Sequence, residues 1–169
     1  MEFRLARPED TPELEVVFKK IIIQMEIENL SIWDDVYPCV CFADDIRHRR
    51  LYVMTENSKI ISAFTLSETN AGAACFYWTE PNASVLYLDR FGVDVDFRHC
   101  GIGSLMISEA KTTAIKLGAA YLRLLVVNFN EPALRLYERN GFKKVAGSFN
   151  LVLDTGEVLT EHAYEIKLS

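Results

Sequence analysis

The sequence predicts an α/β fold on a mixed sheet, with about seven strands and four helices in the order β-α-α-β-β-β-α-β-α-β-β. Three observations predict it. Gly103–Leu117 has helical spacing and stands between two strand-like segments, Val85–Val95 and Tyr121–Val127, and that crossover implies a parallel pair. Leu51–Thr55 and Ile60–Leu66 flank the polar turn Glu56-Asn57-Ser58-Lys59, which reads as an antiparallel hairpin. Tyr121–Val127 is apolar apart from Arg123, as expected of a strand covered on both faces.

The elements follow in order. Phe3–Arg7 alternates apolar and polar residues like a strand. Asp10-Thr11-Pro12-Glu13 opens a helix: Asp10 or Thr11 can cap it, and Pro12 fits the first turn, where its missing N–H costs nothing. Leu14, Val17, Phe18, Ile21, Ile22 and Met25 then form one apolar stripe. The pattern breaks over Ser31–Pro38, and a shorter helix covers Cys39 to about His48. After the hairpin, Thr69–Ala74 and Glu80–Ser84 read as loop. In the helix Gly103–Leu117, the residues Leu105, Met106, Ala110, Thr113 and Leu117 share one side, and Gly118 ends it. Asn130-Glu131-Pro132 opens a short helix to Asn140, closed by Gly141. Two last strands, Phe142–Phe149 and Ala163–Leu168, straddle a polar loop, Asp154–Glu161.

No linker, repeat or compositional break divides the chain, so its 169 residues are expected to form a single domain, 1–169. Half of the residues are apolar and a quarter charged, which excludes a mainly disordered chain. The net charge of −6 makes a nucleic-acid binder unexpected, because such a binder needs a basic face to displace counterions. No uncharged run approaches the roughly 18–20 apolar residues of a membrane span, and no apolar secretory core follows Met1-Glu2-Phe3-Arg4. No membrane association is expected, and a cytoplasmic location is. Cys39, Cys41, Cys75 and Cys100 include no C-x-x-C pair, and His48, His99 and His162 are scattered, so reduced thiols and no metal are expected.

The informative stretch is Phe91-Gly92-Val93-Asp94-Val95-Asp96-Phe97-Arg98-His99-Cys100-Gly101-Ile102-Gly103. A strand ends, an Arg follows, and two glycines bracket a helix start. Free N–H groups and the helix dipole bind anions there. Gly101 and Gly103 let a phosphate approach the backbone, and Arg98 adds a cation suited to its oxygens. The stretch reads as a pyrophosphate cradle. A nucleoside-triphosphate loop would need a Lys that Gly101-Ile102-Gly103-Ser104 lacks. A dinucleotide fingerprint would need a small residue at Met106 and an acid where Val127-Asn128 stands, which disfavours a nicotinamide oxidoreductase.

Arg98-His99-Cys100-Gly101-Ile102-Gly103 resembles the Arg/Gln-x-x-Gly-x-Gly/Ala signature of the GNAT acetyltransferase superfamily. Phe91-Gly92-Val93 is similar to that family's apolar-small-Val strand end. Asn130-Glu131-Pro132-Ala133-Leu134-Arg135-Leu136-Tyr137, followed by Gly141-Phe142, is similar to its Asn-x-x-Ala-x-x-Leu-Tyr segment with the Gly-Phe after it. The element order matches the GNAT acyl-CoA N-acyltransferase fold over almost the whole chain. Val95 stands where a Pro is common, and His99-Cys100 replaces the usual small or basic pair.

The resemblance implies acetyl-CoA as co-substrate, in a gap between the strands ending near Val95 and Val127. Phe91, Val93 and Val95 would pair with the pantetheine arm. Arg98, His99, Cys100, Gly101, Ile102, Gly103 and Ser104 would surround the pyrophosphate, and Asn130 would reach the cofactor. The implied chemistry is acetyl transfer to an amine through a tetrahedral intermediate. The Val93 N–H would stabilise the developing oxyanion, an effect worth about 3–4 kcal/mol. Tyr137 would protonate the departing thiolate, since a phenol is protonated at neutral pH; helical spacing from Ala133 equally suits a core aromatic. Asn130 equally suits a pure helix cap, and Asn128 is a weaker candidate. The acceptor must lose a proton; the resemblance implies a base four or six residues before Val93, where Asp89 and Tyr87 stand. Period two puts both on one face with Phe91 and Val93, and Asp89 is the expected base, directly or through a water. The alternative for Asp89 is an ion pair with Arg90 or Arg123.

The acceptor is expected to be a small-molecule or peptide amine, lined by the first two helices and the last hairpin: Met25, Glu28, Trp33, Asp34, Tyr37 and the loop Asp154–Glu161. The run Arg47-His48-Arg49-Arg50 reads as a solvated helix end. A homodimer is left open, as is a non-catalytic acyl-CoA-binding or sensor module on the same fold.

Overall fold

The computed structural model describes residues 1–168. Seven strands form one mixed sheet in the order β1-β2-β3-β4-β5-β7-β6: β1 Glu2–Leu5, β2 Leu51–Glu56, β3 Lys59–Ser67, β4 Val85–Val93, β5 Tyr121–Val127, β6 Lys143–Val152 and β7 Val158–Lys167. The helices are α1 Thr11–Ile27, α2 Phe42–Arg47, α3 Ile102–Lys116 and α4 Glu131–Arg139. Element order and fold class are those the sequence predicts. No helix among the described residues is long and apolar enough to cross a membrane. The residues cluster into two compact units, one of 1–66 with 89–110, the other of 67–88 with 111–169.

In the first unit, β1, β2 and β3 run antiparallel, with Leu5 opposite Tyr52 and Tyr52 opposite Phe64. The β2–β3 turn is Asn57-Ser58, both left-handed (φ 49° and 65°), the geometry that suits strand twist in a two-residue hairpin. Leu14, Val17, Phe18 and Ile21 of α1 pack with Phe42, Ile46, Leu51, Val53 and Ala63 into one core. Asp10 precedes α1 without capping it: its carboxylate accepts from Arg4 (2.7 and 3.0 Å) and from the Arg7 N–H (2.6 Å). A 3-10 turn, Cys39–Cys41, leads into α2.

In the second unit, β4 and β5 pair in parallel from Val85–Tyr87 to Tyr121–Arg123, and β7 runs antiparallel to β5 and β6. Arg123 is buried because its charge is matched: Nε donates to Glu165 (3.1 Å), Nη2 to the Glu80 carbonyl (2.8 Å), and the guanidinium lies 4.4 Å from the Trp78 ring. Phe76, Val145 and Ala163 form a second core with Trp78, Leu125 and Phe149.

Several details differ from expectation. β4 ends at Val93, and Val95 lies in a 3-10 turn, Val95–Phe97, because the Asp94 carboxylate accepts the Asp96 N–H and turns the chain. The last hairpin is longer than expected: Thr160, Glu161 and His162 lie in β7, opposite Asn150 and Phe149 on one side and Val126 and Val127 on the other. Their polarity made a strand look like loop. In α3 the covered residues are Ile102, Met106, Ile107, Ala110 and Ala114, while Leu105 and Leu117 face solvent.

Candidate active site

Within the first unit the site begins at the end of β4. The Gly92 carbonyl accepts from Ser62 Oγ (2.7 Å). A Cβ at Gly92 would meet Ile21 Cδ1 at 2.8 Å and the Phe18 ring at 3.0 Å, so glycine is what lets α1 lie this close to the strand. The Asp94 N–H donates to the Ile61 carbonyl (2.8 Å), and Lys20 Nζ bridges the carboxylates of Asp94 (3.4 Å) and Asp96 (2.8 Å). This fixes where the following loop starts.

That loop is extended at Arg98, then left-handed at His99 (φ 62°) and at Gly101 (φ 80°), and α3 begins at Ile102. Left-handed residues beside a helix start turn successive N–H groups toward one side, a concavity suited to an anion. A Cβ on Gly101 would meet nothing within 4 Å, and His99, Cys100 and Gly101 are exposed. The first N–H groups of a 15-residue helix have no acceptor within the helix. These features fit a pyrophosphate. Arg98 is engaged elsewhere: its Nη1 and Nη2 donate to the Glu28 carboxylate at 2.6 and 3.4 Å. That contact holds the Glu28 carboxyl below the usual range.

The expected base, Asp89, is partly exposed and borders a buried ion pair. Arg90 is left-handed (φ 47°) in mid-strand, which breaks the period-two alternation expected to link Asp89 with Phe91 and Val93. The Asp89 carboxylate accepts from the Arg90 N–H (2.8 Å) and from Nη1 (2.9 Å). Arg90 also forks onto Asp45, which is fully buried and accepts from Arg50 Nε (2.7 Å) and Thr65 Oγ1 (3.2 Å). Burial opposes the Arg90 charge, but Asp89 and Asp45 outweigh it and hold the guanidinium firmly protonated. Tyr37 lies in the field of Asp89 and Arg90, and burial together with the Asp89 charge pushes its phenol above the ordinary value. The pairing of Asp89 with Arg90 is the alternative the sequence offered, whereas Asp45 escaped the sequence reading, since no spacing rule joins it to Arg90.

The other acceptor candidates divide. Trp33 stacks on Phe18 (5.6 Å) and Met25 packs on the same core. Asp34 closes its own turn, accepting the N–H groups of Tyr37 (2.7 Å) and Val36 (2.8 Å), which lowers its pKa. Of the side chains Met25, Glu28, Trp33, Asp34 and Tyr37, only Tyr37 stands beside Asp89.

In the second unit, Asn130 Oδ1 accepts the Ala133 N–H (3.4 Å), so the asparagine does cap α4. Tyr137, one helical turn beyond Ala133, is buried with its ring edge-on to Phe142 (5.8 Å). Lys111 Nζ donates to the Asn140 carbonyl (2.6 Å) and lies over the Phe142 ring, tying α3 to the end of α4. Residues 154–157 form the exposed hairpin tip, and 158–161 belong to β7.

The chain is similar to known proteins. A family model described as acetyltransferase (GNAT) family matches residues 26–142, more than half of the chain. Over 101 residues the chain is 29% identical to YwnH of Bacillus subtilis (strain 168), whose name assigns it provisionally as a phosphinothricin acetyltransferase. That match covers 60% of this chain and spans 58% of the length of YwnH. Among solved structures, an acetyltransferase of the GNAT family from Streptococcus agalactiae 2603 has a TM-score of 0.82 at 17% identity, covering 98% of this chain and 94% of that one. YncA of Salmonella typhimurium, provisionally assigned as an acetyltransferase and solved with its cofactor acetyl-CoA, has a TM-score of 0.73 at 15% identity, covering 100% and 94%. At these identities the structural likeness is one of fold, and the family match adds the lineage: the chain belongs to the acetyltransferase (GNAT) family.

Proposed function

We propose that the protein is an N-acetyltransferase that moves acetyl from acetyl-CoA to a primary amine by direct attack. The observation that carries the reading is the left-handed pair His99 and Gly101 opening into α3 beneath an uncovered Gly101. Main-chain donors of residues 99–103 would hold the pyrophosphate, and the backbone of Phe91–Val93 would align the arm that bears the thioester. Acetyl-CoA supplies the activated acyl group. Asp89 takes a proton from the acceptor ammonium, directly or through a water, which frees the nitrogen lone pair. The Val93 N–H holds the carbonyl oxygen as it gains charge while the C–N bond forms. Tyr137 delivers a proton to the sulfur as the C–S bond breaks, the new amide nitrogen gives up its second proton to solvent, and solvent reprotonates the tyrosine. Positioned donors and acids of this kind contribute about 10²–10⁴-fold each. The acceptor is a small-molecule or peptide amine; the name of YwnH favours the former.

One observation favours a second reading, a non-catalytic acyl-CoA sensor: the Asp89 carboxylate is already held by Arg90. A screen of amines with acetyl-CoA, read by release of the CoA thiol, separates the two. Turnover with at least one amine, cut about 10²-fold by Tyr137→Phe at unchanged acetyl-CoA affinity, supports the enzyme. Binding without turnover on any amine supports the sensor. Asp89→Asn is expected to remove the acidic limb of the pH–rate profile, and an unchanged profile takes Asp89 out of the mechanism.

A further inference from the structure

We infer that the first unit carries a second ligand site, a cleft of about 610 Å³ between the end of β1 and α2 that takes a phosphate monoester with a small apolar body. Its volume lies in the usual range for small-molecule sites, about 300–1,000 Å³. Four arginines are among the residues that line it: Arg4 and Arg7 from β1 and the residues after it, Arg47 and Arg49 from the end of α2 and just beyond it. Its floor includes Leu5, Ala6, Pro8 and Ile46. A cation near a helix C-terminus is favourable by itself, but that cannot account for two further arginines converging from another element.

The charge balance selects the ligand. Arg4 is neutralised by Asp10 (2.7 Å), and Arg47 by Asp44. Among the described residues Arg7 and Arg49 form no ion pair, Arg7 sharing the longer-range field of the Asp10 that pairs with Arg4, so the lining carries more positive than paired negative charge. A phosphate monoester carries close to two negative charges at neutral pH, and guanidinium forks match its oxygens. The apolar floor asks for an apolar body behind the phosphate.

Arg49 is held where its side chain costs stability. It occupies the left-handed position closing α2 (φ 55°), with its N–H on the Ile46 carbonyl (2.9 Å) and the Arg50 N–H on the Asp45 carbonyl (3.0 Å). Glycine suits that position best. An arginine kept there is explained by a use for its guanidinium. The cleft is also remote from the phosphate loop: β1 leaves the sheet at the end where β2 begins, whereas β4 leaves it where β3 begins, three strands across.

Calorimetric titration of the full chain with phenyl phosphate tests the site, with inorganic phosphate and benzoate as comparison probes. Saturable binding at one site is expected, about ten-fold or more tighter than either comparison probe, and unchanged by saturating acetyl-CoA. Arg49→Gly is expected to raise the melting temperature while weakening phenyl phosphate about ten-fold, and Arg7→Gln to weaken it similarly at an unchanged melting temperature. Failure to saturate at millimolar phenyl phosphate overturns the proposal. So does wild-type affinity in both variants, displacement by acetyl-CoA, or equal affinity for inorganic phosphate. None of these outcomes bears on acetyl transfer.

Discussion

Arg90 forks onto the fully buried carboxylate of Asp45, Nε to Oδ2 at 2.7 Å and Nη2 to Oδ1 at 3.1 Å, and turns its remaining prong, Nη1, to Asp89 at 2.9 Å. A carboxylate with no water around it is tolerated because Arg50 and Thr65 complete its hydrogen bonds. The same pair holds Arg90 in a left-handed conformation, and that kink sets the direction of Asp89.

Removing one partner of such a pair leaves the other buried and unmatched. Asp45→Asn is expected to lower stability by about 3–5 kcal/mol, read from denaturant unfolding. A change of under about 1 kcal/mol would show that water or a neighbour readily replaces the carboxylate.

Gly92→Ala is expected to cost about 1–3 kcal/mol, because its methyl group would press on Ile21 and Phe18 at the base of the phosphate loop. Combining it with Ile21→Val should recover part of the loss, since the closest clash is with Ile21 Cδ1. A double variant no more stable than Gly92→Ala alone argues that the strain lies in the strand backbone.

Where local chemistry decides an element, the sequence shows it. Asn57-Ser58 announces a tight hairpin, and Pro12 and Gly118 bracket helices at or near their true ends. Where a distant partner decides, it does not. Nothing in an arginine advertises the left-handed conformation of Arg90, which exists because Asp45 waits on another element. Thr160, Glu161 and His162 are polar enough to pass for loop, and only their pairing with β5 and β6 makes them strand. Gly101, left-handed just before α3, was legible as a turn glycine, but the capture of Arg98 by Glu28 was not: both residues were singled out, for different tasks.

Glu28 competes for the cation that phosphate would use. Glu28→Gln is expected to tighten acetyl-CoA binding about 2–5-fold, an effect typical of partly exposed pairs, and calorimetry reads it directly. An unchanged affinity would place the Arg98 guanidinium off the phosphates.

Acid should weaken the start of α1 through Asp10. Its hydrogen bonds from Arg4, aided by the Arg7 N–H, pull its pKa below the ordinary 3.8. A carboxylate with a depressed folded-state pKa stabilises the fold fully above its unfolded value, and that stability is lost as the pH falls through the folded value. Asp10→Asn is therefore expected to cost about 1 kcal/mol at pH 7 and progressively less below about pH 4 in paired unfolding measurements. A difference that does not shrink in acid would assign the loss to packing.

The most direct measurement is amide hydrogen exchange over residues 98–104 with and without saturating acetyl-CoA. If these main-chain donors grip the pyrophosphate, exchange from His99 to Gly103 slows about ten-fold or more on binding, and NAD produces no such protection. Unchanged exchange there while acetyl-CoA binds and protects another segment, or protection by NAD alone, would contradict the account.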